Sequence, residues 1–163
     1  MSTNWMLFTR TANPALAAGV AAALGRPLGA CAIERFPDGE VSVELGESVR
    51  GRDVFLLQPT SPPVDEHLVE LLVVADACRR ADAQRITAIV PYFGYARSDK
   101  RERRRTPVTA RPIADLMQSA GIDNVVTIDA HTPQLEGFFR IPIDDLSAVP
   151  LLCDVLRPRI ADD

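Results

Sequence analysis

Residues 86–111 of the chain read ITAIVPYFGYARSDKRERRRTPVTAR and join an apolar run to a strongly basic segment. The first five residues predict a short buried strand, and the last ones predict the beginning of a helix. From Arg97 to Arg111 the sequence has seven basic and two acidic residues, so this window carries +5 while the remaining chain carries −9. A basic segment at the carboxyl end of a buried strand, on an otherwise acidic protein, indicates an anion site. The alternative is a charged loop that only faces solvent.

Apolar patterns on both sides of this stretch predict alternating strands and helices. Strands are predicted at residues 5–9, 31–35, 41–45, 53–58, 85–90, 124–128 and 141–146. Helices are predicted at residues 14–24, 64–81, 109–120 and 133–139, and a last helix is predicted to begin near residue 147 and to break at Pro158. Asn13 and Ser61 are expected to cap the first two helices. The spacing predicts an α/β domain with a mainly parallel sheet flanked by helices on both faces.

The composition narrows the class of protein. With 47% hydrophobic residues and a net charge of −4 over 163 residues, the chain fits one globular domain. Its acidic balance argues against a protein that coats nucleic acid. Cys31, Cys78 and Cys153 show no metal-ligand spacing and are expected to be buried thiols in a reducing compartment. The sequence has neither a convincing secretory signal nor a run of about 20 apolar residues, so we expect a cytoplasmic protein with no membrane partner.

Polar groups follow three of the predicted strands. They are the basic loop after Val90, the pair Asp129 and His131 after Ile128, and the loop at 60–61. Because the carboxyl ends of parallel strands meet at one edge of a sheet, we expect these groups to converge there.

A carboxylate and an imidazole at this edge could hold a divalent ion or a metal-bound phosphate. Asp129 and His131 are the candidates, and Asp144 and Asp145 are their candidate neighbours. The alternative is that His131 only makes structural hydrogen bonds. His67 is expected on a helix surface, with no special role.

The turn FPDGE at residues 36–40 pairs an aromatic ring with two carboxylates. Phe36 could stack on a planar base, and Asp38 or Glu40 could accept hydrogen bonds from an exocyclic amine. The alternative is a hairpin turn with Phe36 in the core. The chain has no glycine-rich phosphate loop of the usual kinds, so arginine side chains would have to hold any bound phosphates.

Three long blocks of the sequence resemble ribose-phosphate pyrophosphokinases. They are FPDGE at residues 36–40, DACRRADAQRITAIVPYFGYARSDKRERRRTPVTAR at 76–111 and IDAHTPQLEGFFRIPIDDLSAVP at 128–150. Weaker matches lie between them, so the resemblance covers nearly the whole chain. Blocks of this length, in this order and at this spacing, are highly specific.

The resemblance implies a phosphoribosyltransferase-like domain of an enzyme that uses ATP and Mg²⁺. That family transfers the β,γ-diphosphoryl group of ATP to ribose 5-phosphate, forming phosphoribosyl pyrophosphate and AMP. Its polypeptide has two such domains in tandem, and the ATP site lies between them and takes residues from a neighbouring subunit. We therefore expect a homo-oligomer.

The family's site residues carry over by position to three groups in this sequence. The residues expected to bind ATP are Phe36, Asp38, Gly39, Glu40, Arg97, Ser98, Asp99, Lys100 and Arg101. The residues expected at the metal are Asp129 and His131, with Asp144 as a further candidate. A phosphate or ADP effector is expected to contact Arg50, Arg103 and Gln134. No catalytic residue is assigned within this domain.

The chain departs from the family at a few positions. Ser98 stands where a glutamine is common, and Arg140 stands where many relatives have an aspartate near the metal. Residues 1–163 correspond to the amino-terminal domain, and nothing in them resembles the loop of the second domain that binds ribose 5-phosphate. We therefore expect an ATP-side half-site that is inactive alone. The alternatives are a free-standing, non-catalytic nucleotide-binding or regulatory module that associates with full-length synthetase, and an RNA- or DNA-binding protein, which the acidic remainder disfavours.

Overall fold

The described chain, residues 4–160 of a computed structural model, folds around a five-stranded parallel sheet. The strands are β1 (Trp5–Thr9), β2 (Cys31–Arg35), β3 (Val41–Leu45), β4 (Asp53–Leu57), β5 (Arg85–Val90), β6 (Asn124–Ile128) and β7 (Ile143–Leu146). The helices are α1 (Pro14–Leu24), α2 (Val64–Arg80), α3 (Ala110–Ser119) and α4 (Val149–Ile160), and a 3₁₀ helix spans Pro133–Phe138. The predicted α/β class is confirmed.

The order of strands in the main sheet is β1-β4-β5-β6-β7, and every neighbouring pair is parallel. All five carboxyl ends therefore lie at one edge of the sheet, which is the edge where ligands bind in open α/β folds. Strands β2 and β3 form a separate antiparallel ribbon in which Arg35 pairs with Val41. We call residues 31–45 the hairpin and residues 36–40 the hairpin turn.

Strand β4 and helix α2 show why the sequence folds in this way. Val54, Leu56 and Leu57 are buried in β4, which is the nearly continuous apolar pattern of a central parallel strand. Helix α2 buries Leu71 and Cys78 on one face, as its helical spacing requires. Burial raises the pKa of the Cys78 thiol to about 11, so this thiol stays protonated at neutral pH.

The predicted caps of the first two helices have different outcomes. Asn13 caps α1, because its Oδ1 accepts a hydrogen bond from Leu16 N at 2.9 Å. The cap predicted at Ser61 is wrong: α2 begins after Pro63, which provides no side-chain cap. The Ser61 carbonyl oxygen instead lies 2.7 Å from Nδ1 of His67. His67 is therefore buried beneath the loop, and its predicted place on the helix surface is wrong.

Helix α4 differs from two predictions. It continues through Pro158 to Ile160, because a proline in the last turn removes one backbone hydrogen bond without interrupting the helix in its middle. Cys153 on this helix is exposed and Cys31 is half-buried, so only Cys78 matches the prediction of buried thiols.

No residue of α4 is buried against the part of the chain that the structure describes. Its large apolar side chains are between 47% and 69% exposed; they are Val149, Leu151, Leu152, Val155, Leu156 and Ile160. Helix α4 therefore adds little to the described core. Among residues 4–160, no helix combines the length and apolar character that a membrane span needs.

Candidate functional site

A pocket of about 190 Å³ opens at the carboxyl edge of the main sheet, between the ends of β5 and β6. We call it the strand-end pocket. Its lining residues are Pro91, Tyr92, Phe93, Tyr95, Ala96, Arg97, Thr127, Ile128, Asp129, Ala130 and His131. Two of the three polar groups predicted to converge do so here, namely Arg97 of the basic loop and the pair Asp129 and His131.

The third polar group, Thr60, does not line the pocket but holds the turn that leads to Arg97. Thr60 is buried, and its Oγ1 accepts a hydrogen bond from Gly94 N at 2.7 Å and donates one to the Tyr92 carbonyl at 3.0 Å. Gly94 is packed so closely that a Cβ there would lie 2.6 Å from Val64 Cγ1. The turn that carries Arg97 is thus fixed against the loop after β4.

Two residues of the strand-end pocket have a strained backbone. Tyr95 has φ +67°, and Asp129 has φ +46°, in the left-handed region that favours glycine. The hydroxyl of Tyr95 donates a hydrogen bond to the Asp65 carboxylate at the start of α2, which holds the strained turn in place. Backbone strain held by tertiary contacts is typical of functional sites.

The loop after β6 presents its carboxylate and imidazole to solvent. Both Asp129 and His131 are exposed. The carboxylate of Asp129 accepts a hydrogen bond from Ala148 N at 3.2 Å, and Asp145 accepts one from Ala130 N at 3.0 Å. These bonds set the path of the loop while the pocket side remains open.

Asp144 does not line the strand-end pocket, and its Oδ2 accepts a hydrogen bond from Asn124 Nδ2 at 3.3 Å. Within residues 4–160, no three histidine, cysteine, aspartate or glutamate side chains form a group that could hold a metal ion by itself. Mg²⁺ commonly takes only one or two protein carboxylates and completes its shell with water and substrate phosphates. Asp129 fits that arrangement.

Residues 97–106, which we call the arginine arm, extend from the strand-end pocket. The two ends of the arm are tied together: Ser98 Oγ accepts a hydrogen bond from Thr109 N at 3.1 Å, and the Ser98 carbonyl accepts one from Ala110 N at 3.1 Å. Asp99 Oδ2 accepts a hydrogen bond from Thr132 Oγ1 at 2.8 Å. Ser98 therefore holds the base of the arm.

The tip of the arm is exposed and strongly cationic. Residues 100–105 are all exposed. In the described part of the chain, none of the six basic side chains from Arg97 to Arg105 forms an ion pair. Unpaired cations beside a pocket attract an anion, which favours the anion site over the solvated loop.

Without ligand, the amides of residues 100–105 are expected to exchange with solvent at least about 100-fold faster than those of β5. The arm has few apolar anchors and many like charges, so little opposes its opening. Hydrogen exchange followed by mass spectrometry measures both segments in one sample. Strong protection of the arm in the free protein would contradict its mobility.

The hairpin turn lies apart from the strand-end pocket, and none of its residues lines it. The turn is closed by hydrogen bonds from Phe36 N to the Glu40 carbonyl at 2.9 Å and from Gly39 N to the Phe36 carbonyl at 2.8 Å. Asp38 accepts a hydrogen bond from Glu40 N at 3.1 Å. The hairpin is confirmed, but Phe36 is 51% exposed and so does not lie in the core.

The three residues expected at an effector site lie on three different segments of the chain. Arg50 forms an exposed ion pair with Asp82 at 2.8 Å, and an isolated bridge joins Arg50 to Ala83 before β5. Arg103 lies in the arginine arm, and Gln134 lies exposed on the 3₁₀ helix. Arg50 is therefore at the other end of the strands from the pocket.

Sequence reasoning missed a second concavity on the other side of Arg97. It has a volume of about 280 Å³ and shares Tyr92, Tyr95 and Arg97 with the strand-end pocket. Its remaining lining residues are Val64, Asp65 and Ser98. The signal that could have found it is the pair Tyr92 and Tyr95, which stand five and two residues before Arg97.

Comparison with known proteins agrees with the described fold. The profile of one protein family, described as the N-terminal domain of ribose phosphate pyrophosphokinase, matches residues 5–121. A ribose-phosphate pyrophosphokinase of Bacillus caldolyticus is 47% identical over 96% of this chain and 50% of its own length. Another, from Chromobacterium violaceum, is 52% identical over 97% of this chain and 49% of its own length.

A solved structure agrees along nearly the whole chain. The crystal structure of phosphoribosylpyrophosphate synthetase from Mycobacterium smegmatis superposes with a TM-score of 0.95 and 43% identity, covering 99% of this chain and 54% of that one. The chain thus spans about half the length of the curated relatives it matches. It belongs to the ribose-phosphate pyrophosphokinase family, a family of diphosphotransferases, and corresponds to the amino-terminal domain of its members.

Proposed function

We propose that this chain is the ATP-side half of a ribose-phosphate diphosphokinase, and that it binds MgATP at the carboxyl edge of the main sheet. One observation carries the proposal: Arg97 lies in the same pocket as Asp129 and His131, beside an arm whose cations have no ion-pair partner in the described chain. A triphosphate needs such positive charge, and the chain has no glycine-rich loop to supply it.

The transfer of a diphosphoryl group depends on positioning and charge neutralisation more than on covalent chemistry of the protein. Arg97 presents a planar fork suited to phosphate oxygens, and its turn is already fixed by Thr60 and Asp65. The further ATP contacts proposed on the arm are Ser98, Asp99, Lys100 and Arg101. Closure of the arm over the phosphates would exclude water and add charge at the same time.

The metal proposed here is Mg²⁺ bound with ATP, which neutralises phosphate charge when present. Asp129 would be its main protein ligand, and His131 would contact either the ion or a phosphate oxygen. Asp144, the second residue of β7, lies before the carboxyl end of that strand and does not line the strand-end pocket, so it is not proposed as a direct metal ligand.

The base is proposed to be held by a second copy of the chain. A pocket of about 190 Å³ is smaller than the roughly 300–1,000 Å³ of most small-molecule sites, so the nucleotide must extend beyond it. Phe36 offers an exposed ring, and Asp38 and Glu40 offer carboxylates for the adenine amine, with Gly39 between them. The hairpin turn does not line the pocket of its own chain, which favours a homo-oligomeric site.

Ribose 5-phosphate is proposed to bind to the part of the longer relatives that this chain does not match. The chain alone should then bind nucleotide without turnover, and no nucleic-acid or membrane partner is proposed.

Regulation by phosphate or ADP through Arg50, Arg103 and Gln134 is a separate proposal. Because the proposed reaction consumes ATP and a sugar phosphate, a cytoplasmic location is proposed.

Titration calorimetry of the purified chain with MgATP is expected to show saturable binding with which magnesium tripolyphosphate competes. The same protein, incubated with ATP, Mg²⁺ and ribose 5-phosphate, should form no phosphoribosyl pyrophosphate. Absence of MgATP binding would contradict the ATP-side assignment. Turnover at about 1 s⁻¹ or faster, a rate typical of enzymes, would contradict inactivity of the lone chain.

A control with an oligonucleotide tests the alternative hypothesis that the chain binds nucleic acid. Binding of a mixed-sequence single strand that falls steeply with salt and that ATP does not displace would favour that reading. The hypothesis of a regulatory module is favoured if the chain has no turnover of its own but changes the activity of an added full-length relative.

A further inference from the structure

Glu70 is a fully buried carboxylate that joins three segments of the chain. Its Oε1 accepts a hydrogen bond from Arg35 Nη2 at 3.1 Å and one from Thr11 Oγ1 at 2.8 Å. Its Oε2 accepts a hydrogen bond from Gln58 Nε2 at 3.1 Å. The side chain thus connects α2 with the hairpin, with the loop after β1 and with the end of β4.

Arg35 is the last residue of β2 and stands directly before the hairpin turn. Its Nη2 also lies 3.1 Å from Glu66 Oε2, and its Nη1 donates a hydrogen bond of 3.5 Å to the Gly39 carbonyl. One guanidinium therefore contacts the backbone of the turn on one side and two carboxylates of α2 on the other.

The described chain offers the hairpin turn no other charged anchor. All five residues from 36 to 40 are exposed, so no side chain of the turn is held by burial. The strands of the hairpin pack through partly buried apolar residues such as Val43 and Leu45, which fix the ribbon but not its tip. The direction of the turn therefore depends on Arg35 and its carboxylate partners.

A carboxylate without exposure is costly unless it is paired and hydrogen-bonded. Glu70 meets that requirement through donors from three segments, whereas Glu66 has a side chain that is 53% exposed. Glu70 also faces a second cation, Arg10, which is 5% exposed. Burial lowers the pKa of the Arg10 guanidinium, and the negative charge of Glu70 is one of the effects that oppose this lowering. Glu70 is thus the fixed member of the pair and Arg35 the member that it orients.

We propose that Glu70 is a positioning residue that sets the direction of the hairpin turn through Arg35, so that Phe36, Asp38 and Glu40 are presented to a nucleobase. The identity of the ligand in this inference rests on the proposed function, whereas the tie between Glu70 and the turn does not depend on it. The role is positioning rather than catalytic, because the fully buried Glu70 carboxylate is occupied by hydrogen bonds from other side chains of the protein.

The tie is tested without ligand by residual dipolar couplings of backbone amides in the purified chain. In the unaltered protein, the amides of the hairpin turn should fit the same alignment tensor as those of the main sheet. Arg35→Gln and Glu70→Gln should scale the couplings of the hairpin turn down by about half, while the couplings of the main sheet remain. Glu66→Gln, which removes the exposed partner, is the matched control and should change them less.

Arg35→Gln keeps the test valid if Glu70→Gln fails to fold, because Arg35 has a side chain that is 37% exposed and can be solvated without its partner. Couplings of the hairpin turn that still fit the sheet tensor in Arg35→Gln would overturn the tie. An equal effect of Glu66→Gln and Glu70→Gln would also overturn the assignment to Glu70.

The role towards the base is tested by comparing MgATP with magnesium tripolyphosphate, which lacks adenosine. Both substitutions should weaken MgATP binding about three- to tenfold and leave tripolyphosphate binding unchanged. Loss of both ligands to the same degree, or of neither, would overturn the role in base presentation. If the unaltered chain binds the two ligands equally, the proposed adenine contact itself fails, and the dipolar couplings still decide whether Glu70 directs the turn.

Discussion

Replacing Phe8 with alanine is expected to lower the free energy of unfolding by about 3–5 kcal/mol. Phe8 lies at the centre of the hydrophobic core in β1, with none of its surface exposed. A Cβ on Gly29 would lie 2.5 Å from Phe8 Cε1, so the backbone packs directly on the ring. The backbone at Gly29 and the neighbouring strand cannot move far into the space that the ring leaves, so most of the cavity created by the substitution should remain. Urea unfolding followed by circular dichroism measures the loss.

Leu151→Ala is the matched control for this substitution. It also removes a large apolar side chain, but Leu151 is 67% exposed on α4. Alanine is the strongest helix former, so the change should remain within about 0.5 kcal/mol of the unaltered protein. A loss at Leu151 comparable with that at Phe8 would contradict the described core, since α4 would then be packed against it in solution.

The main sheet could be predicted because its central strands are short apolar runs between clear breaks. Strand β5 was predicted at residues 85–90 and spans Arg85–Val90, and β6 was predicted and found at 124–128. A strand that is buried on both faces needs apolar residues at nearly every position, so its local composition is enough to predict it. The rule for strand ends then predicted the meeting of Arg97 with Asp129 and His131.

Features that depend on distant partners could not be predicted in this way. Glu70 stands among leucines in α2, and its burial depends on Arg35, which lies 35 residues away in sequence. His67 is buried because the Ser61 carbonyl turns towards it, which no helical pattern reveals. The contact between Tyr95 and Asp65 likewise joins the loop after β5 to the first turn of α2. Long-range polar contacts have no periodic signature in the sequence.

Replacing Arg97 with alanine is expected to weaken MgATP binding about 10- to 100-fold. Arg97 lies between the two concavities at the sheet edge, has no ion-pair partner in the described chain, and follows a turn fixed by Thr60 and Tyr95. Because the fork is held in position before ligand binds, little ordering cost accompanies its hydrogen bonds to phosphate. Lysine at this position should restore part of the loss, since it keeps the charge but not the fork.

Arg85→Ala is the control that separates a local contact from the general charge of the protein. Arg85 begins β5, the same strand that leads to Arg97, and it is exposed at the opposite end of the sheet. The two substitutions change the net charge equally, so any long-range electrostatic effect should be similar in size and should be screened by salt. Titration calorimetry at about 0.15 M salt should show a large loss only for Arg97→Ala. Equal losses would mean that the basic stretch attracts nucleotide without a defined contact, and an unchanged affinity would place the phosphates elsewhere.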